Sequence, residues 1–201
     1  MHTIKNDDAG SPLQWTSGFF MLALLFLFAC DTKMHYDKLE ARELASGIRN
    51  DSLFLGLYFG MTRDSFYAHC WKLYERGVMK EGMSGNTIYY PLKTFKYPAS
   101  MDFFPLFHKE KIVSLPITLR YDSWAPWHKH LFASELKKEA AAMIKEWYGG
   151  EFIKVKMPTA IDGHALAKVD GNRRIRIYCT DDTKVHVDFV DLTRMEHLKV
   201  Q

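Results

Sequence analysis

The longest unbroken apolar run of the chain extends from Phe19 to Ala29 and ends at Cys30. A helix that crosses a bilayer needs roughly 20 apolar residues, at about 1.5 Å of rise each. This run is too short for that and has the length of a signal-peptide hydrophobic region. The pattern then changes abruptly. From Asp31 to about Asn50 the residues are polar, with Leu39, Leu44 and Ile48 as sparse anchors. That stretch reads as a tether passing into a short amphipathic helix.

Helical spacing follows. Thr62 is placed to cap a helix, and Asp64 lies in its first turn, where the helix dipole favours a negative charge. Phe66, Cys70, Leu73 and Tyr74 fall on one face, and Gly77 supplies the stop. A second helix is predicted over 134–148, with Leu136, Ala140, Met143, Ile144 and Trp147 as its stripe and Gly149-Gly150 as its end. Between the helices lie three apolar runs, Thr87–Leu92, Met101–Phe107 and Ile112–Tyr121. In the last, Val113, Leu115, Ile117, Leu119 and Tyr121 alternate with polar positions, as in a strand with one buried face. Pro116 lacks a ladder donor, which predicts an edge strand, at least locally. Four more strands are expected near Glu151–Lys156, His164–Val169, Arg173–Thr180 and Lys184–Leu192. The order of helix, three strands, helix, four strands predicts an α+β fold: two α-β-β-β-like halves, with an antiparallel sheet packed against helices.

Register follows from parity, because opposed residues share a face. A turn at Asp181-Asp182-Thr183 opposes Ile177 to Val187 and Arg176 to Asp188. A turn at Gly171 would oppose Val169 to Ile175 and Asp170 to Arg174. The cluster Arg173-Arg174-Ile175-Arg176 is thereby expected to find carboxylates within the sheet. Parity fails at the first hairpin. If Phe103, Phe107, Val113 and Ile117 face inward, then Phe104, Leu106 and Ile112 face the other way. Two apolar faces require a cover: either the segment 36–59 or a partner docking on Phe104, Leu106 and Ile112.

Composition narrows the function classes. Of 201 residues, Lys and Arg number 27 and Asp and Glu 24, a formal charge of +3 that gives no electrostatic footprint for nucleic acid. There is no GxGxxG, GxxxxGK[ST], GxSxG or HExxH motif, and no cofactor is expected. His128 and His130 stand at i, i+2 in a loop, without an adjacent carboxylate motif. They and His164 are the residues an envelope hydrolase with a metal site would use. Cys70 and Cys179 are both placed on inward faces. They would pair as a disulfide if the first helix packs over the strand carrying Cys179, and otherwise remain two buried thiols.

Leu27-Phe28-Ala29-Cys30 resembles the lipobox of bacterial lipoproteins. The resemblance implies cleavage after residue 29 and a diacylglyceryl group on the Cys30 thiol, with acylation of the new amino group. Several acyl chains on one residue anchor durably where a single chain binds marginally. On this reading 1–29 is a signal peptide, 30–50 a lipidated terminus and tether, and 51–201 the α+β domain. Gly60-Met61-Thr62 followed by an apolar-spaced helix and strands resembles small lipoproteins related to the barrel-assembly accessory family. More broadly it is similar to the β-lactamase-inhibitor-like fold, and the chain looks like lipoproteins of the Bacteroidota type. What these resemblances imply is a non-catalytic binding or assembly module in the cell envelope, at the outer membrane or cell surface rather than the inner membrane. It would hold the membrane through its lipid and contact an envelope protein. A carrier of a small apolar ligand, seated against the two-faced first sheet, is the other reading left open beside the hydrolase.

Overall fold

The computed structural model describes residues 34–82 and 85–195. Cys30 and the segment 1–29 lie outside them. A helix over 34–45, α1, is followed by α2 (Arg63–Glu75), α3 (Ala133–Tyr148) and α4 (Leu192–Met195). The strands are β1 (Lys80–Glu81), β2 (Ile88–Leu92), β3 (Ala99–Phe103), β4 (Leu106–His108) and β5 (Lys111–Tyr121). They continue with β6 (Ile153–Lys156), β7 (His164–Asp170), β8 (Arg173–Cys179) and β9 (Val185–Asp191). Among the described residues these nine form one sheet in the order β1-β2-β3-β5-β9-β8-β7-β6, with β4 beside β5. Every pairing is antiparallel. The fold is α+β.

Local chemistry sets the element ends. The Thr62 hydroxyl accepts the Ser65 N–H at 3.3 Å, and Gly77 leaves the helix at φ +66°. α3 begins one residue earlier than its spacing predicts and ends at Gly149. There the ammonium of Lys168, on β7, donates to the carbonyls of Tyr148 and Gly149 at 2.7 and 2.6 Å. A helix end leaves such carbonyls without partners, so a buried lysine serves as the cap.

The main core lies between the sheet and helices α2 and α3. Leu115, Ile117 and Leu119 of β5, Ile175 and Ile177 of β8, and Val187 and Phe189 of β9 meet Phe66, Leu73, Leu136, Ala140 and Ile144 there. Each large side chain so buried contributes about 1.5–3 kcal/mol relative to exposure. On the opposite face Val169, Val190 and Leu192 are covered by Tyr36, Leu39 and Leu44 of α1. Glu40 of the same helix pairs with Arg174 at 3.2 Å.

Register is as expected across β8 and β9, where Ile177 opposes Val187 and Arg176 opposes Asp188, the latter two paired at 3.4 Å. Across β7 and β8 it differs. Asp170 opposes Arg173 and Val169 opposes Arg174, around a two-residue Gly171-Asn172 turn. Parity opposes Val169 to Ile175 only if the two belong to one core. Val169 belongs instead to the face that α1 covers, so its partner must be even-numbered.

Three further expectations are corrected. The Met101–Phe107 run is two strands, because Pro105 interrupts it, and β1 adds another, so five strands precede α3 instead of three. β5 is not an edge strand but pairs on both sides. Leu115 and Pro116 nevertheless have no partner on the β3–β4 side, since β3 pairing stops at Ile117 and β4 pairing at Ser114. The proline sits in that gap, where a missing N–H breaks no ladder bond. Finally, a partner surface that includes Ile112 is ruled out in favour of cover from within the chain: Ile112 is fully buried in the core that Leu53, Phe54, Leu57 and Phe59 join.

A polar clasp fixes the entry to this domain. Asn50 N–H donates to Asn172 Oδ1 at 2.6 Å, Asn50 Nδ2 to Asp170 Oδ1 at 2.8 Å, and Arg173 to the Ser52 carbonyl at 2.7 Å. Gly171, at φ +58°, lies directly under the Ile48 backbone, and a Cβ there would overlap the Ile48 carbonyl oxygen. Gly171→Ala therefore meets both a left-handed backbone and a backbone clash. It should lower stability by about 1–3 kcal/mol, read as a lower urea midpoint; an unchanged midpoint would show that the clasp bears no load.

Candidate functional site

α2 carries two faces. Phe66, Cys70 and Leu73 point into the core. One residue further round, Tyr67, Trp71 and Tyr74 repeat at i, i+4 and i+7 and stand in water, 49%, 62% and 52% exposed. Tyr74 is thus not on the inward face where the spacing placed it. The Trp71 and Tyr74 rings lie 5.8 Å apart and within 29° of parallel. Trp71 Nε1 donates to Glu75 at 2.9 Å, which fixes the indole along the helix. Below the row, Phe66 packs edge-on against Phe104 and Phe107, each at 5.7 Å.

The β1–β2 hairpin forms the facing wall. Between it and α2 lies an open cavity of about 890 Å³, floored by Met79, Ile88 and Phe104 and walled by the three exposed aromatics. Lys80, Glu81, Asn86 and Thr87 stand along the hairpin side. A volume of this size falls within the roughly 300–1,000 Å³ typical of small-molecule sites. Gly82 brings the hairpin together, its N–H donating to the Thr87 carbonyl at 2.8 Å.

Cys70 lines this cavity, and Cys179, at the end of β8, has its thiol 3.5 Å from the Ala133 carbonyl at the start of α3. Both thiols are free and buried. Burial pushes each thiol up to about 11. A protonated thiol is a poor nucleophile. His69 beside it is committed elsewhere, its Nε2 donating to the Leu55 carbonyl at 2.7 Å. That bond braces a turn in which Leu55 itself takes φ +55°, a left-handed conformation costly for a residue with a Cβ.

The other sequence-derived candidates are scattered. His128 and His130 come together, rings 5.4 Å apart, with Tyr97 5.1 Å from His130. His164 lies instead at the start of β7, its Nδ1 at 2.7 Å from the Asp162 carbonyl. Among the described residues no group of three or more His, Cys, Asp or Glu side chains is placed to hold a metal ion. Arg173 pairs with Asp170 at 2.7 Å, so the arginine cluster is taken up by the sheet and α1. Phe104, Leu106 and Ile112 do not form one surface. Ile112 is fully buried, Leu106 is 56% exposed, and Phe104 belongs to the cavity floor. A second cavity, about 680 Å³ between α1 and the end of α3, mixes Lys38, Arg42, Glu43, Glu151 and Asp170 around the capping Lys168. Burial lowers the ammonium of Lys168.

The aromatic row stands in the sequence at helical spacing, but Tyr74 fits the inward face by spacing as well, which hides it. Among the described residues no helix is long and apolar enough to cross a membrane. Compared with family models, curated proteins and solved structures, the chain matches none.

The buried thiol gives a pH dependence. Below pH 9 the Cys70 thiol is protonated in both folded and unfolded chains. Between 9 and about 11 the unfolded chain releases that proton while the folded one keeps it, so the unfolded state gains. Stability should fall as pH rises through this window, and Cys70→Ala should flatten the slope in urea titrations at stepped pH. An equal slope in both proteins would contradict the buried, protonated thiol.

Proposed function

We propose that this chain is a lipid-anchored protein of the cell envelope, tethered through Cys30, whose domain is a non-catalytic binding module with its site in the cavity beside α2. The anchor rests on Leu27-Phe28-Ala29-Cys30 and the short apolar run before it. One observation carries the binding reading: three consecutive-turn aromatics of α2 stand in water at the mouth of an aromatic-floored cavity. Large apolar rings kept in water in one contiguous row mark an interaction site more often than a packing error. The same reading takes the sheet as two helix-then-meander halves. Strands β1-β2-β3-β5 run inward from one edge and β6-β7-β8-β9 from the other, and they meet at β5 and β9. The cavity then belongs to the first half and the α1 face to the second. The small-ligand reading gains from the cavity, whereas an envelope protein docking on Phe104, Leu106 and Ile112 loses Ile112.

Two measurements test this. Cys30→Ala should abolish incorporation of a labelled fatty acid and leave 1–29 uncleaved; a variant with wild-type mass and membrane partition would remove the anchor. Trp71→Ala should change folding stability by less than about 1 kcal/mol, because the indole is exposed. A loss above about 2 kcal/mol would make the row a structural element and not a binding surface.

A further inference from the structure

The walls of the cavity select among ligands. An acyl chain is matched by an enclosed tube of aliphatic side chains. Here the aliphatic groups, Met79 and Ile88, are confined to the floor, and the sides are rings open to water. A phosphorylated or otherwise polyanionic ligand would require a surplus of positive charge. Along the hairpin Lys80 is matched by its neighbour Glu81, and Glu75 stands beside Trp71. The mouth is therefore amphipathic and close to neutral. Tyr and Trp present an apolar ring face with a polar edge. A pyranose ring has the complementary form, with axial C–H groups across one face and hydroxyls around its rim. The near-parallel Trp71 and Tyr74 rings, 5.8 Å apart, offer a broad platform for such faces. The Asn86 amide and the charged pair Lys80 and Glu81 offer both donors and acceptors for the rim. At about 890 Å³ the space lies near the upper end of the usual range for a small-molecule site, which fits a chain of sugar rings better than a single one.

We propose that this cavity binds a neutral oligosaccharide, its ring faces stacked on Tyr67, Trp71 and Tyr74 and its hydroxyls held by Asn86, Lys80 and Glu81. The proposal rests on the reading of the cavity as a ligand site, and is independent of the lipid on Cys30.

The test is a titration of the full-length protein, held in phosphatidylcholine nanodiscs, against an array of neutral and acidic glycans, with decanoate as the apolar probe and empty nanodiscs subtracted. Saturable binding of at least one neutral oligosaccharide is expected. Trp71→Ala should weaken it at least tenfold, while Trp127→Ala, whose 77%-exposed ring lies outside the cavity, should change it less than twofold. Asn86→Ala should weaken it without altering the fold seen by circular dichroism. Decanoate binding that Trp71→Ala abolishes, with no neutral glycan bound, would overturn the saccharide assignment and leave the cavity a ligand site. Binding confined to acidic glycans would overturn it equally. Silence to every probe would overturn both the assignment and the ligand site, and glycan binding unaffected by Trp71→Ala would move the site elsewhere.

Discussion

A sheet that is apolar on both faces has to be covered twice, and the architecture follows from how this chain meets that requirement. Phe189 and Val190 are neighbours on β9 and therefore point to opposite sides. Phe189 joins the core under α3, Val190 the smaller cluster under α1. Left open, either side would expose several large side chains, each worth about 1.5–3 kcal/mol of burial. The covering helices are thus tied to the strand pattern. α3 lies over β5, β8 and β9, while α1 is drawn to the β7–β9 end of the other face. The clasp of Asn50, Asn172 and Arg173 holds the chain at the point where it passes from one side to the other.

That double cover also explains which parts of the structure were legible in the sequence. Where one face meets one core, alternation suffices: the β8–β9 register, with Ile177 on Val187 and Arg176 on Asp188, follows from parity alone. β7 defeated the same argument because Ala165, Ala167 and Val169 serve the α1 side, while Leu166 and Lys168 share a face with Ile177 and Ile175. A period of two shows that a strand has two faces, but not which of them belongs to which core. Pro116 marks a local edge but not an edge strand, for a related reason. Its rule concerns a ladder donor, and the ladder beside it is already broken between β3 and β4. Helix α2 was read nearly to the residue, since its cap and its glycine are local signals. Its aromatic row was not, because Tyr74 fits an inward face by spacing and only the position of the β1–β2 hairpin decides that it faces water.

The cavity exists because the hairpin stands off from α2 instead of closing on it. Below the gap the packing is complete, with Phe66 against Phe104 and Phe107, so the space does not reflect a poorly filled core. Closing it would bury Tyr67, Trp71 and Tyr74, but also the charges of Lys80 and Glu81, which carry a desolvation cost of several kcal/mol each if unpaired. The open arrangement is the one that leaves those charges hydrated. The rings remain wet as a consequence, and the proposed ligand would cover them with its apolar face while its hydroxyls take the place of water on Lys80 and Glu81.

The position of the cavity relative to the chain's start adds a geometric consequence to the proposed anchor. From Cys30 to the first described residue of α1 there are four Cα steps, at most about 15 Å of chain. On the proposed anchor, so short a segment would keep the start of α1 near the bilayer. The cavity lies on the α2 side, towards the β1–β2 edge, whereas α1 covers β7 to β9. On the proposed anchor, α1 and the strands it covers would lie nearer the lipid than the β1–β2 edge, where the cavity is. A water-borne chain would reach that edge without entering the bilayer, so the proposed anchor and the proposed saccharide are compatible.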